Sequence, residues 1–191
     1  MYVRFILLQL LIGFSCIVFF SASASAQVRQ PFTGNNIITV VLESPQGRYE
    51  FKSPDLLVRY NKNTEQLECS LLVNSLKPTS DTIPASMAYD VLYGAKFPEL
   101  VFFIDVPEEI IRRGTPYPEP LSQRTNITLQ GITNQTQIPV VFTADKRRVS
   151  FGTNFDLRLD NFEASIPARY MPVLTGRLLI NIMNARWVEQ F

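Results

Sequence analysis

The sequence lacks histidine altogether, since none occurs among its 191 residues. A serine–histidine–aspartate triad, a cysteine–histidine pair and a histidine-containing zinc site all need that side chain, so none of them can be assembled. The acidic residues do not follow the spacing of a calcium-binding loop, and the 8 glycines form no phosphate-binding loop. We therefore predict that the protein is not an enzyme and has no catalytic cofactor or metal. A carboxylate pair brought together only by folding is the enzymatic alternative.

Cysteine is scarce as well, with only Cys16 and Cys69 in the chain. Cys16 lies in a mostly apolar run of about 16 residues that follows Arg4 and is itself followed by the small residues SASASA. This pattern predicts a signal peptide over residues 1–26 that is cleaved near Ala26. Because a membrane-spanning helix needs about 20 apolar residues, cleavage is favoured over an uncleaved anchor. Lipid attachment at Cys16 is a third interpretation.

The predicted mature chain, residues 27–191, is expected to be periplasmic or secreted and to have no transmembrane segment. Its remaining cysteine, Cys69, has no second cysteine with which to form an intrachain disulfide, even in an oxidising compartment. Stability must therefore come from a packed core. The apolar neighbours Leu67 and Leu71 predict that the Cys69 thiol is buried in that core and unreactive.

Charge of one sign is not in excess either. The chain has 18 basic and 17 acidic residues, which give a formal net charge of +1. A nearly neutral surface predicts neither nucleic acid nor an anionic membrane surface as a partner. Large apolar side chains are abundant instead, among them 14 phenylalanines and 7 tyrosines.

These apolar residues alternate with polar ones, which is the period of a half-buried β-strand. The clearest stretch is 125–159, where turn-forming residues such as Gly131 separate three runs and predict an antiparallel meander. Further strands are predicted over residues 37–42, 48–52, 56–60, 67–73, 100–106 and 176–185. We also predict an exposed lead-in over 27–36, a short helix over 85–93 and an inserted proline-rich loop over 107–120. About eight or nine strands predict an all-β fold, either a closed antiparallel barrel or a sandwich.

The apolar faces of these strands allow two interpretations. They pack together as a solid core, or they line a barrel that encloses one lipid-like molecule, since a barrel of about eight strands is wide enough for one. Periodicity predicts the same inward side chains in both cases. The candidate ligand-lining residues are Phe51, Val58, Tyr60, Leu71, Phe102, Ile104, Ile127, Leu129, Val140, Phe142, Phe155 and Leu157.

Three segments resemble motifs of the YceI-like family. Residues 128–134, TLQGITN, and the Ile138-Pro139-Val140 that follows are similar to the family's LTI-x-G-V-T-K turn and its next strand. Residues 155–162, FDLRLDNF, are similar to F-x-l-x-l-x-D-F/Y-G, and residues 93–102, YGAKFPELVF, to s-x-k-y-P-x-i-x-F. The resemblance covers roughly residues 51–185. The departures are the absent histidines, Asn134 in place of the usual lysine and Glu163 in place of a frequent glycine.

The resemblance implies an antiparallel extended lipocalin-like barrel of about eight strands with one short helix. It implies a single domain over residues 27–191, exported to the periplasm. It also implies a bound apolar ligand of the polyisoprenoid or isoprenoid-quinone kind in the barrel interior, which the candidate residues above would contact. The resemblance therefore favours a lipid-binding protein.

Two structural alternatives stay open. The terminal Phe191 is typical of a small outer-membrane barrel, but Arg48, Glu50 and Lys52 lie opposite the apolar faces, where such a barrel needs a lipid-facing band. The other alternative is a barrel that its own side chains fill, without a ligand. The sequence specifies neither the ligand, the pathway nor the oligomeric state, and a homodimer is allowed. It also leaves open the role of the loop between Pro107 and Pro120.

Overall fold

Ten β-strands make up most of the fold in a computed structural model that describes residues 32–113, 119–145 and 148–190. The strands are β1 (Thr33–Ser44), β2 (Gly47–Asn61), β3 (Gln66–Leu72), β4 (Lys77–Pro78), β5 (Glu99–Asp105), β6 (Leu121–Leu129), β7 (Ile132–Asp145), β8 (Arg148–Arg158), β9 (Arg177–Ala185) and β10 (Val188–Gln190). The connections contain two α-helices, α1 (Met87–Val91) and α2 (Glu108–Arg113), and two 3₁₀ helices, Val73–Ser75 and Leu159–Phe162. The predicted signal peptide lies outside the described residues.

Eight of the strands form one closed antiparallel barrel. They are hydrogen-bonded in the order β1, β9, β8, β7, β6, β5, β3 and β2, and β2 returns to pair with β1. The short strand β4 pairs with β2, and β10 runs parallel to β2 beyond the end of the β1–β2 ladder. Closure pairs each barrel strand on both sides, so the strands of the described ranges leave no long edge for another chain. The predicted lipocalin-like barrel is confirmed, and the sandwich alternative is wrong.

Alternation of side chains decides which side of each strand faces the interior. In β5, Leu100, Phe102 and Ile104 are buried, whereas Val101 and Phe103 between them are only partly buried. Successive side chains of a strand point to opposite sides, so every second residue enters the barrel. The inward residues of the eight barrel strands form a single hydrophobic cluster.

The two ends of the barrel are closed by different elements. At one end, which we call the α1 end, α1 lies beside the β6–β7 turn, where Gln130 Nε2 donates to the Val91 carbonyl at 2.9 Å. The helix contributes Met87, Ala88 and Val91 to the core, so the predicted short helix is confirmed. At the opposite end, the α2 end, α2 follows β5 and its Ile111 is buried.

Residues 48–52 and 56–60, which were predicted as two strands, form one continuous strand, β2, that passes through Pro54. Two further segments differ from the sequence-based expectation. β1 begins at Thr33, so residues 33–36 are not an exposed lead-in, and Asn36 is only 5% exposed. The Asn36 amide pairs with the backbone of Arg186, a partner 150 residues away that leaves no local signal in the sequence. The second difference is α2, which occupies part of the predicted proline-rich loop because Ile111 packs into the core. Residues 114–118 of that loop lie outside the described residues.

The turn between β6 and β7 is a two-residue hairpin turn at Gln130 and Gly131, as the register Leu129 to Ile132 shows. Both residues have positive φ angles, 51° for Gln130 and 81° for Gly131. A two-residue turn with positive φ at both positions matches the right-handed twist of the flanking strands, and glycine adopts that conformation at least cost. The predicted role of Gly131 in this turn is confirmed.

Replacing Gly131 by alanine is expected to lower the free energy of unfolding by about 1–2 kcal/mol. The added Cβ would meet the Phe97 ring at 2.6 Å, and a φ of 81° strains any side chain. Urea denaturation measures the change. Gly34→Ala is the control because its nearest neighbour would be Leu57 Cδ2 at 4.0 Å, and we expect a change within about 0.5 kcal/mol. Equal losses in the two variants would contradict this account of the turn.

Candidate functional site

The candidate site is the inner face of the barrel, where the structure places all the residues that the sequence nominated. Each of these side chains is at most 8% exposed, and all belong to one hydrophobic cluster. The nominated residues come from β2, β3, β5, β6, β7 and β8: Phe51, Val58, Tyr60, Leu71, Phe102, Ile104, Ile127, Leu129, Val140, Phe142, Phe155 and Leu157. Their burial is consistent both with a wall that contacts a ligand and with a filled core, so their role in ligand binding stays a prediction.

The sequence-based selection left out two strands that complete this wall. β1 contributes Ile38, Val40 and Leu42, and β9 contributes inward residues such as Ile180, all at most 2% exposed. Their signal was present in the sequence, because both strands show the same alternation as the selected ones. Any molecule inside the barrel would contact these side chains as well, since β1 and β9 are neighbours in the closed sheet.

The middle of the barrel is occupied by two aromatic rings. Phe102 on β5 and Phe155 on β8 meet edge to face, with ring centroids 6.0 Å apart and an interplanar angle of 88°. β6 and β7 lie between these two strands in the sheet, so the contact spans the interior rather than following the wall. A chain-shaped ligand on the barrel axis would have to separate these rings.

The polar groups of the inner face have partners within the protein. The Tyr60 hydroxyl donates to the Val106 carbonyl at 3.0 Å, and Thr153 Oγ1 donates to the Pro139 carbonyl at 2.7 Å. Ser53, which is fully buried, shares a hydrogen bond of 2.7 Å with Ser75. A ligand in the interior would therefore meet hydrocarbon and satisfied hydroxyls, and a polar ligand would lose its hydrogen bonds to water without replacement. This wall suits an apolar molecule.

The outer face of the barrel carries ion pairs between neighbouring strands. Arg124 Nε lies 2.6 Å from Asp105 Oδ2, and Arg177 Nε lies 2.9 Å from Asp156 Oδ2. A further pair joins Arg59 on β2 to Glu68 on β3. The polar residues of the alternating pattern thus face away from the core, as the pattern predicted. In the described residues, no helix is both long and apolar enough to cross a membrane.

The described residues form several cavities, four of which open on the outside of the barrel. Two are grooves of about 1070 and 320 Å³ that share Asn154, Asn181 and Met183 on β8 and β9. The other two are clefts of about 460 and 470 Å³ at the α1 end. None of the nominated residues lines any of these four cavities. Within the described ranges, no three acidic or cysteine side chains come together as a metal site.

Comparison with known proteins finds matches to the fold. No family model matches the chain, and no curated protein matches it by sequence. A polyisoprenoid-binding domain from Saccharophagus degradans, implicated in plant cell wall breakdown, superposes with a TM-score of 0.64 at 7% identity, over 79% of this chain and 93% of its own. The fold is that of the YceI-like barrels.

Two further structures extend the comparison of this YceI-like fold. BcnA from Burkholderia cenocepacia superposes with a TM-score of 0.56 at 12% identity, over 76% of this chain and 93% of its own. The YceI protein of Campylobacter jejuni gives 0.47 at 11% identity, over 69% of this chain and 80% of its own, a score too low to support a conclusion. At such identities the likeness establishes the fold alone. The resemblance that the sequence motifs indicated is confirmed at that level.

Within this YceI-like barrel, Cys69 is fully buried on the inner face of β3. Burial raises the pKa of the Cys69 thiol far above its ordinary range, and the negative charge of Glu68 raises it further. The thiol therefore stays protonated, and a protonated thiol is a poor nucleophile and metal ligand. The predicted burial is confirmed, and Cys69 acts as one more small apolar residue of the wall.

Polar contacts hold α1 across its end of the YceI-like barrel. The Tyr170 hydroxyl donates to Asp90 Oδ2 at 2.9 Å, and Arg169 forms an ion pair with the same carboxylate. Burial raises the pKa of the Tyr170 phenol, and the Asp90 carboxylate adds to the increase. Because Asp90 belongs to α1, these contacts tie the helix to the segment that precedes β9.

Proposed function

We propose that the protein is an exported binding protein that holds one apolar molecule, isoprenoid-like or another lipid, inside its barrel. The observation that carries the proposal is the closed inner face, where apolar side chains surround a few hydroxyls that already have partners. The polyisoprenoid-binding domain with the same fold supports a chain-shaped ligand. The proposal includes no catalytic step, because the apolar side chains of the wall need only surround the ligand.

The inner face is long enough for an extended chain. Along β8 it runs from Phe151 to Leu157, which corresponds to at most about 20 Å at about 3.3 Å per residue. Each Å² of apolar surface that the ligand buries would contribute about 25 cal/mol. Separating the rings of Phe102 and Phe155 would cost part of that free energy. Ligands that are long and thin would bind better than compact ones, because they disturb fewer side chains for the area that they bury.

One alternative is supported by an observation of its own. The edge-to-face contact of Phe102 with Phe155 is typical of a solid core, and a barrel that its own side chains fill would need no ligand. The outer-membrane alternative is less favoured, because the ion pairs of Arg124 and Arg177 lie where a lipid-facing barrel needs apolar residues.

Native mass spectrometry of the full chain, expressed in and purified from its own host without detergent, tests the proposal. We expect a barrel that carries one apolar lipid, which organic solvent extracts, and a protein mass that lacks residues 1–26. Ile127→Trp, which fills the interior, should carry less lipid, whereas Val141→Trp on the outer side of β7 should carry as much as the wild type. A barrel that never carries lipid and does not take up added farnesol would favour the filled core.

A further inference from the structure

Exposed apolar side chains gather at the α1 end of the barrel. Tyr89, Tyr93 and Ile132 are 36%, 38% and 38% exposed. The 470 Å³ cleft is bordered by Tyr89 and Tyr93, and the 460 Å³ cleft by Tyr93, Phe97 and Ile132. Tyr93 thus joins the two clefts, and we call the group Tyr89, Tyr93, Phe97 and Ile132 the Tyr93 rim.

The backbone at Tyr93 is unfavourable for a tyrosine. Tyr93 follows Leu92, the C-terminal cap of α1, and has a φ of 53°. This left-handed conformation after a helix is the position where glycine is preferred, because a Cβ is strained there. More than a third of the Tyr93 side chain gains no burial within this chain. Residues that break a local preference without gain to the fold are typical of functional surfaces.

The charges around the Tyr93 rim compensate each other. Asp90 and Arg169 in one cleft form an ion pair, and Lys96 and Glu163 both border the other cleft. The Lys96 ammonium lies 5.1 Å from the centre of the Phe97 ring. An aromatic surface without net charge does not fit an anionic polymer. It fits a zwitterionic lipid surface, where tyrosine rings bury their apolar body and keep the hydroxyl in water.

We propose that the Tyr93 rim docks the α1 end of the barrel onto a zwitterionic lipid bilayer, from which the ligand is collected. This inference rests on the proposed function, since a carrier of an apolar molecule needs contact with the phase that contains it. α1 connects the two regions, because Tyr89 faces the surface while Met87 and Val91 of the same helix are buried in the core. A displacement of α1 at the bilayer would open the inner face directly toward the lipid.

Co-sedimentation with phosphatidylcholine vesicles tests the docking. Tyr93→Gly is the decisive variant, because the relieved backbone strain offsets the lost burial of the ring, so its thermal midpoint is expected to change little. We expect its vesicle affinity to fall about tenfold, the factor that corresponds to about 1.4 kcal/mol of lost burial. Met183→Ser is the control, since Met183 is 64% exposed but lies on β9 outside the rim, and its affinity should not change.

The outcomes separate docking from ligand binding. Because the rim carries no net charge, high salt should leave the vesicle affinity of the wild type unchanged. Equal affinity of Tyr93→Gly and the wild type, or no binding of the wild type to vesicles, would overturn the docking proposal. Uptake of a fluorescent isoprenoid alcohol in vesicle-free solution is measured in parallel, and both proteins should take it up equally. Loss of vesicle binding with intact uptake refutes only the docking, whereas no uptake by the wild type refutes the proposed function.

Discussion

Replacing Phe102 by alanine is expected to lower the free energy of unfolding by about 3–5 kcal/mol, the range for a buried phenylalanine. Phe102 is 1% exposed and supplies half of the aromatic contact that spans the barrel. Alanine would leave a cavity between β5 and β8, because strands that are hydrogen-bonded on both sides cannot close around the lost ring. Equilibrium denaturation in urea measures the loss.

Phe103→Ala is the matched control for Phe102→Ala. It removes the same side chain from the next position of β5, where the residue is only partly buried on the outer side. We expect a loss of about 1 kcal/mol or less. Equal losses at the two positions would mean that the inward and outward faces of β5 have been assigned wrongly.

The Phe102→Ala variant also bears on the proposed ligand. If an apolar molecule binds in the barrel, the new cavity should accommodate it, and added farnesol should restore stability. A ligand that binds only the folded state contributes about 2.7 kcal/mol at a concentration of 100 times its dissociation constant. A filled core without a ligand site predicts that farnesol does not raise the stability of the wild type, although farnesol can still stabilise the variant by filling its engineered cavity. The effect of farnesol on the wild type therefore distinguishes the two models.

Replacing Asn36 by leucine is expected to lower the free energy of unfolding by about 2–4 kcal/mol, because it leaves buried backbone groups without partners. Asn36 Nδ2 donates to the carbonyls of Arg186 at 2.9 Å and Leu56 at 3.3 Å. Its Oδ1 accepts from the Arg186 N–H at 2.8 Å. The β1–β9 ladder ends at Ile38 and Ile182, so the Asn36 amide continues the pairing where β9 leaves β1. Urea denaturation again provides the measurement.

Asn154→Leu serves as the control for Asn36→Leu. Asn154 lies on the outer side of β8 and is exposed, so the substitution should change stability by no more than about 0.5 kcal/mol. If Asn36→Leu were no more harmful than Asn154→Leu, the Asn36 amide would not be extending the β1–β9 pairing.

The sequence predicted the barrel wall because alternation is a local property. Phe51, Phe102 and Phe142 could each be assigned to the inner face from their own strand, since a half-buried strand places every second residue inside. Asn36 could not be recognised as buried, because its partner, Arg186, is distant in the chain. The helix α2 was missed for a similar reason, since prolines dominated the local pattern and the packing of Ile111 is a tertiary effect.

Whether the interior is filled could not be predicted from any residue. Leu71 or Val140 would be apolar and inward in a solid core and in a ligand-lined wall, so alternation gives the same answer for both. The Phe102–Phe155 contact became visible only when β5 and β8 were placed across the barrel from each other. That contact also identifies where a ligand and the core would compete for the same space.

Solution NMR of the wild type with bound farnesol tests most directly whether the ligand lies inside the barrel. Methyl groups of Ile127, Val140 and Leu157 face inward, whereas those of Ile37 and Val41 border the outer groove of about 1070 Å³. We predict intermolecular nuclear Overhauser effects from farnesol to the inward methyl groups and none to the outer pair. Contacts with Ile37 and Val41 alone, and none with the inward methyl groups, would contradict the account.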